Sequence, residues 1–479
     1  MSKLYIFGIG GTGSRVIKSL TMLLASGVDC GVDTIVPIVI DRDMSNKDLS
    51  RTKLLIENYI EVNKIAETKD RNKFFKTKIE LLNDELCLQL MDNTQKFEDF
   101  IGRSTMSQDN QALVDMLFSK DTLNMDMTVG FQGNPNIGSV VLNQFDNNDM
   151  FKAFANDFSA GDSIFIISSI FGGTGASGFP LLRKILHTPN VKGIDGNVLS
   201  NWGLVNEAHI GAISVLPYFI VESATDESMV DSDTFIDKSR AALSYYRTED
   251  KKIDTLYYIA DKQTSTYKHN KGGDAQKNNA HFVELAAALA ILDFACPEKA
   301  SKNIHRDENG SIKQTIYKEF GIHSDAIEMN FNNLADETKS LLINPLSRFL
   351  LFRNYMKLIF DKQYKNQPYA HGRFVRNFRN KDVIQKLETI QAQYYDWLRE
   401  MEEQTHKFAP FNLTSNNALD YIKGNINCIQ RKDFRYKNWA IVDNELNRQI
   451  GKINKSLENE KMFVELFFRM SESLIRYKN

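Results

Sequence analysis

The sequence predicts an α/β fold with a parallel sheet, followed by an α-rich C-terminal region. Three observations at the N-terminus predict it. An apolar segment at 3–7 ends in glycines, helical periodicity follows at 16–24, and a β-branched segment at 34–40 ends at Asp41. Strand, glycine turn, helix and strand in this order open a βαβ unit, and such units form parallel sheets.

Composition and charge exclude several classes of protein. The chain has 479 residues and a formal net charge of -2, which argues against a general nucleic-acid or membrane-surface binder. We find neither a signal-peptide pattern nor an apolar run long enough to span a bilayer, so we expect a cytoplasmic protein. No CxxC pair occurs, and we interpret the cysteines as reduced residues: Cys30, Cys87, Cys296 and Cys428.

The rest of the chain predicts three successive parts. We expect a first domain over 1–277, a central core helix over 278–297 and a helical or α+β domain over 298–479. The polar segment 44–128 is predicted to be a helical insertion. The alanine-rich run 279–294 suits a buried helix, which Pro297 ends. Further strands are predicted at 163–169, 210–216 and 255–260, and helices at 237–246, 381–407 and 441–478.

A glycine-rich loop lies between the first strand and the first helix. Gly8, Gly10 and Gly13 satisfy GxGxxG, although the motif alone is a weak signal. Glycines let backbone N–H groups approach an anion, and the helix N-terminus adds partial positive charge. Asp41 ends the second strand, where dinucleotide folds place an acid on the ribose. We therefore predict a nucleotide phosphate site at Gly10, Gly11, Thr12 and Gly13.

Two more glycine-containing loops follow. Gly172, Gly173, Thr174 and Gly175 come after the strand at 163–169 and precede a helix that we expect to begin near Phe179. A third loop contains Gly133, Asn134 and Pro135. A tight packing turn and an ordinary surface loop are the structural alternatives. A dinucleotide fold needs only one phosphate loop, so we predict that these turns converge on one polyphosphate.

The order of these loops resembles the GTPase domain of FtsZ and the tubulins. The matching segments are the first glycine loop, the acidic loop Asp41-Arg42-Asp43, the Gly-Asn-Pro loop at 133–135 and the GGTG loop at 172–175. The long segment 44–128 is more similar to divergent bacterial tubulin-like proteins. The resemblance implies bound GTP or GDP with Mg²⁺ and self-assembly into a filament with nucleotide between subunits. The periodic apolar spacing of the C-terminal domain predicts contacts with protein partners.

The chain departs from the family pattern in two places. Phe171 stands where the family's signature loop opens with a further glycine, and Ser177 precedes Gly178 where a glycine is expected. The acidic Asn-x-Asp motif after the core helix, which acts on the nucleotide of the next subunit in the family, is absent. The remaining catalytic candidates are weak, so hydrolysis is a hypothesis: Asp293, Glu298, Asp307 and Glu308.

Base recognition is predicted at the start of the core helix. The family uses a polar residue there, and Asn278 or Asn279 fits because an amide offers a donor and an acceptor. Capping of the helix by the same asparagines is an equal alternative.

Three other functions stay open. An adenylating enzyme of the ubiquitin-activating class would use Asp41 and Asp43 with Ser45-Asn46 and Arg51, and an NAD(P) oxidoreductase would use the first glycine loop. Neither needs the loop at 172–175. A catalytically silent scaffold is favoured by the missing acidic motif. Histidine spacing predicts no protein metal site, and the basic–aromatic stretch 373–379 is interpreted as a solvated helix face, so nucleic acid is not an expected partner.

Overall fold

A seven-stranded parallel sheet forms the centre of the computed structural model, in the order β3-β2-β1-β4-β5-β7-β9. Two parallel two-stranded sheets, β6-β8 and β10-β11, lie apart from it. The structure describes residues 2–66, 73–88, 95–128, 130–131, 133–143, 148–193, 195–222, 235–249, 253–268, 273, 276–319, 326–363, 366–374, 377–429 and 438–477. The strands are β1 Lys3–Ile9, β2 Thr34–Ile40, β3 Lys78–Ile79, β4 Ser163–Ser169, β5 His209–Val215, β6 Phe219–Glu222, β7 Thr255–Ile259, β8 Ser265–Lys268, β9 Ile316–Glu319, β10 Glu328–Met329 and β11 Lys407–Phe408.

Helices flank this sheet and make up most of the C-terminal region, which confirms the predicted α/β fold class. A π-helical stretch at Met356–Phe360 continues the helix that ends at Tyr355. The helices are α1 Gly10–Ala25, α2 Lys47–Ala66, α3 Phe97–Phe100, α4 Gln108–Leu117, α5 Lys120–Leu123, α6 Pro135–Val141, α7 Asp149–Asp157, α8 Gly173–Leu186, α9 Trp202–Asn206, α10 Phe235–Glu249, α11 Phe282–Ala295, α12 Ala300–Asn303, α13 Asp336–Tyr355, α14 Asp361–Gln363, α15 Asp382–Glu402, α16 Ala440–Ile450 and α17 Asn459–Leu474.

The strand predictions agree well with the structure because buried parallel strands are continuous apolar runs. β2 and β4 have the predicted bounds, and every residue of β2 is buried. β5 and β7 begin and end within one residue of prediction.

The helix starts at the glycine loops were predicted too late. α1 begins at Gly10 rather than at 16, and α8 begins at Gly173 rather than near Phe179. Glycine has poor intrinsic helix propensity, but tertiary packing overrides that preference here. Gly10–Gly13 and Gly173–Gly175, which are called glycine loops below together with the Gly133 loop, are therefore in the first turns of two helices.

Two other segments differ from prediction. Segment 44–128 is not wholly helical: β3 adds an edge strand to the sheet beside β2, although residues 67–72 and 89–94 lie outside the described part of the chain. The segment predicted as one helix at 441–478 is two, because Gly451 and a turn separate α16 from α17. α15, in the predicted C-terminal domain, packs directly on α2, in the predicted first domain. The domain division at 277 and 297 stays a prediction.

The basic–aromatic stretch at 373–379 is not a solvated helix face. Phe374 and Phe378 are buried with their ring centroids 4.9 Å apart, and Arg379 pairs with Glu388. Residues 375 and 376 lie outside the described residues. The aromatic rings therefore contribute to the core of the C-terminal region.

The close packing of α1 against β1 requires glycine at positions 8 and 13. A Cβ built on Gly13 would lie 2.4 Å from the backbone carbon of Gly8 and 2.7 Å from its Cα. Real Cβ contacts are never that short, and backbone atoms cannot rotate away. The first glycine loop is therefore fixed by backbone packing as well as by any ligand.

We predict that Gly13→Ala lowers the free energy of unfolding by about 1–3 kcal/mol, the usual cost of overpacking. Urea unfolding followed by circular dichroism measures it. Gly203→Ala is the matched control, because an added Cβ on that exposed helical glycine meets nothing within 4 Å. Equal stability of the two variants would contradict the packing argument.

Candidate functional site

The glycine loops meet at one cavity. β1 and β4 are adjacent parallel strands, so the loops that follow them leave the same edge of the sheet. A cavity of about 200 Å³, open to solvent, lies at that edge. Both Gly10 and Gly173 line it, although they are far apart in sequence. Its described lining also includes Gly11, Thr12, Arg15, Gly133, Ser169, Phe171, Gly172, Thr174, Gly175, Phe219, Val221, Phe235, Tyr267, Gln276 and Asn278.

The three loops pack closely at their glycines. Gly10 has a φ of +71°, and a Cβ there would lie 3.3 Å from Cβ of Thr174. A Cβ on Gly173 would lie 3.1 Å from the amide nitrogen of Gly133 and 3.2 Å from that of Asn134. Larger side chains at these positions would separate the loops, so the convergence depends on glycine.

Two helix N-termini point into this region with their amides free of side-chain caps. Neither α1 nor α8, both fully described, has a side-chain cap hydrogen bond or an acidic residue in its first turn. The first N–H groups of a helix have no intrahelical partner, and the helix dipole concentrates positive potential there. Such an arrangement is suited to binding an anion.

Arg15 brings a buried positive charge to the cavity wall. Its Nε donates to Glu284 at 2.6 Å, and its NH2 donates to the Tyr218 hydroxyl at 3.0 Å and to Thr12 Oγ1 at 3.3 Å. Burial opposes the charge, but Tyr218, Glu284 and Asp48 together raise the pKa of Arg15. Arg15 was not predicted as a site residue because a lone arginine in a helix carries no motif.

Four aromatic side chains, Phe171, Phe219, Phe235 and Tyr267, form an aromatic wall of the cavity. Phe171 packs against Phe235 and Phe219 with ring centroids 4.9 and 5.5 Å apart, and Phe219 packs against Tyr267 at 5.0 Å. Asn278 lines the cavity beside these rings. Aromatic faces and amides are the groups that hold and read a planar heterocycle. These rings come from four separate elements, so no local sequence pattern identifies them.

Asn278 and Asn279, the two predicted base-recognition residues, have different positions relative to the cavity. Asn278 lines the cavity, whereas Asn279 does not, and the Asn279 carbonyl accepts a hydrogen bond from Tyr267 at 2.9 Å. Neither asparagine caps α11. His281 does so, accepting from the Val283 amide at 3.1 Å while Glu284 accepts from the His281 amide. The core helix therefore starts at Phe282, later than predicted.

The acidic loop lies beside the cavity and contributes no atom to its described wall. Asp43 accepts from the Ser45 hydroxyl at 3.0 Å and from the Gly273 amide at 2.8 Å. Arg42 donates to the Met127 carbonyl at 3.0 Å, and Asp41 is buried. Gly13, Asn134 and Pro135 also lie outside the wall: Gly13 packs on Gly8, and Pro135 opens α6. These residues shape the loops rather than line the cavity.

The catalytic candidates lie at the opposite edge of the sheet. α11 runs from the cavity to the amino ends of the strands, where Phe294 packs on Gly211. Asp293 binds Lys299 at 2.9 Å and Tyr257 at 2.7 Å, and it also pairs with Lys318. Glu298 is exposed, and Asp307 accepts backbone N–H groups in its own turn. A second cavity, of about 540 Å³ and lined by Asp293 and Glu298, lies here.

Among the comparisons with known proteins, matches were found only with solved structures. No family model and no curated protein matches the chain. Similar structures include CetZ2 from Haloferax volcanii in a GTPγS-bound protofilament, with 13% identity over 63% of this chain and 62% of that chain and a TM-score of 0.30. The GDP-bound monomer of CetZ1 from Haloferax volcanii has 13% identity over 54% of this chain and 51% of that chain, with a TM-score of 0.25.

A helical model of the two-stranded TubZ-Bt filament shows 10% identity over 64% of this chain and 55% of that chain, with a TM-score of 0.24. These neighbours are tubulin/FtsZ-family filament proteins, and this chain spans between 51% and 62% of their lengths. Identity at this level concerns the fold alone. In the described part of the chain, no helix has the length and hydropathy needed to cross a membrane.

Burial of Asp41 predicts a stability that depends on pH. Burial raises the pKa of Asp41 to about 7, against an ordinary value of 3.8. Between those values the folded state holds a proton that the unfolded state has lost, so stability falls as pH rises from about 4 to about 7.

We predict that the unfolding free energy of Asp41→Asn rises relative to that of wild type by about 4 kcal/mol as the pH increases from about 4 to about 8, measured by urea unfolding without nucleotide. Asp237→Asn, at an exposed carboxylate, is the control. An unchanged difference between Asp41→Asn and wild type across this range would show that Asp41 is ionised in the folded protein at low pH.

Proposed function

We propose that the chain binds a purine nucleoside triphosphate in the cavity between α1 and α8. The expected nucleotide is GTP. One observation carries the proposal: two uncapped helix N-termini converge on a single cavity that is also lined by the aromatic wall. The amides suit the polyphosphate, and the rings suit the base. Asn278 is the proposed reader of the base edge.

Magnesium would accompany the triphosphate in this proposal. The described cavity wall contains no carboxylate, so Mg²⁺ would take its oxygens from phosphates and water, as this ion commonly does. Arg15 is already paired with Glu284 and leaves much of the phosphate charge to the backbone amides and the ion.

The adenylating alternative receives less support from the residues that suggested it. Asn46 caps α2 by accepting from the Asp48 amide at 2.8 Å, and Ser45 donates to Asp43. Arg51 pairs with Glu400, away from the described cavity wall. These residues have local structural partners, and the second glycine helix favours a polyphosphate held from two sides. An NAD(P) site gains nothing from that second helix either.

Self-assembly is the second part of the proposal. The cavity opens at the carboxyl edge of the sheet, and the acidic candidates lie at the amino edge of the same molecule. Head-to-tail stacking of two copies would bring the second edge over the first, so nucleotide would lie between subunits. Glu298 is the best-placed carboxylate to orient water there, because it is exposed while Asp293 is engaged by lysines. Bacterial origin and cytoplasmic location stay predictions.

We predict that Gly11→Val weakens GTP binding at least about tenfold, because its methyl groups would occupy the space beside the amides that receive phosphate. A Cβ at Gly11 meets only Arg15, at 3.4 Å, so the variant should fold. Calorimetry with GTPγS measures binding, and Gly203→Val is the control. Chromatography of the nucleotide released from the denatured protein distinguishes the alternative functions. Guanine nucleotides would support the proposal, AMP or ATP would support an adenylating enzyme, and NAD would support an oxidoreductase.

We predict that Glu298→Gln leaves GTP binding unchanged and lowers hydrolysis about tenfold or more under conditions where the protein sediments. Phosphate release and sedimentation with GTP or GDP are measured in parallel, with Glu403→Gln as the control. Absence of assembly at every concentration and nucleotide tested would remove the polymer proposal and leave the binding proposal standing.

A further inference from the structure

A buried cluster of six charged side chains lies behind the cavity. It contains three cations and three carboxylates: Arg15, Lys18, Arg51, Asp48, Glu284 and Glu400. Five of the side chains are at most 5% exposed and Arg51 is 16% exposed. Balanced pairing is what makes such burial tolerable, since removing one partner leaves an uncompensated charge.

One side of the cluster holds the cavity wall. Asp48 accepts from the backbone amide of Asn278 at 3.2 Å, and it also faces Arg15 at 3.5 Å and Arg51 at 3.7 Å. Asn278 lines the cavity itself. The position of this wall segment therefore depends on a carboxylate that is held by two arginines.

The other side of the cluster belongs to the C-terminal region. Glu400, at the end of α15, accepts from the Ala280 amide at 2.9 Å and from Lys18 at 3.3 Å, and it pairs with Arg51. Burial disfavours its charge, but Lys18 and Arg51 hold the pKa of Glu400 below its ordinary value. Glu400 thus joins α15 both to the α1–α2 pair and to the segment that leads from the cavity to α11.

Gln404 completes the clamp on this segment. Its amide donates to the Ala280 carbonyl at 3.0 Å and to the Tyr267 hydroxyl at 3.3 Å. Tyr267 is one of the rings of the aromatic wall. Both backbone groups of Ala280 are therefore held by side chains from the end of α15 or just beyond it.

From these contacts we infer that Glu400 and Gln404 are positioning residues for the nucleotide site, and that the C-terminal region and the nucleotide cavity are energetically coupled through the segment 276–281. The inference rests on the proposed function. Asn278 of this segment lines the cavity, and Ala280 is bound by Glu400 and Gln404. A displacement of the segment at the cavity therefore changes its contacts with the C-terminal region, and the reverse also holds. By linkage, nucleotide would stabilise the docking of α15 as much as docked α15 strengthens nucleotide binding.

The test uses the full chain with GTPγS as the probe. We expect Glu400→Gln to weaken GTPγS binding about fivefold or more, and Gln404→Leu to weaken it in the same direction, while Glu403→Gln stays at the wild-type value. Glu403 directly follows the end of α15 but is 50% exposed and pairs with Arg399 at the surface. A purely structural role would lower thermal stability equally with and without nucleotide and leave the dissociation constant unchanged.

Hydrogen exchange on the wild-type protein tests the coupling without relying on variants. Saturating GTPγS should increase protection in 393–402 as well as in the glycine loops. Protection confined to the glycine loops, or affinities of both variants matching Glu403→Gln, would overturn the coupling while leaving nucleotide binding in place. Failure of the wild-type protein to bind GTPγS would instead count against the proposed function.

Discussion

Backbone contact between glycine loops is the constraint on which the rest of the site depends. Gly10, Gly133 and Gly173 lie in segments that are distant in sequence, yet a Cβ added to Gly10 would press on Thr174 and a Cβ added to Gly173 would press on the amide of Gly133. The sheet brings the loops to one edge, and the absence of side chains lets them touch. The N-terminal amides of α1 and α8, the aromatic wall and the buried Arg15 are arranged around that contact.

Phe171 and Ser177, the two residues of the 171–178 segment that differ from the FtsZ signature loop, each have a structural role in this chain. Phe171, in place of a glycine, is a central ring of the aromatic wall and packs against Phe235. Ser177 lies against Gly138, where an added Cβ would be 2.2 Å from the serine hydroxyl, and Ser177 also bonds the Gly173 carbonyl at 2.8 Å. The signature loop has therefore been fitted to its own neighbours, and helix α6 crosses α8 at this pair.

Local patterns predicted the parts of the molecule that are determined locally. β2 and β4 have continuous apolar centres, and their bounds were predictable from sequence. The start of α8 was not, because helix geometry at Gly173 depends on packing against the Gly133 loop. Arg15, Phe235 and Glu400 escaped prediction for the same reason: each acquires its role from partners distant in sequence. Asp41 was recognised by position, but its burial beside the cavity needed the structure.

The most direct test of the convergence of the loops is a crystal structure of the protein with GTPγS. We predict phosphate oxygens within hydrogen-bonding distance of the backbone amides at both Gly11–Thr12 and Gly173–Thr174, with the base against Phe171 and Tyr267. Nucleotide bound to only one of the two helix N-termini, or located in the cavity beside Asp293, would contradict the account.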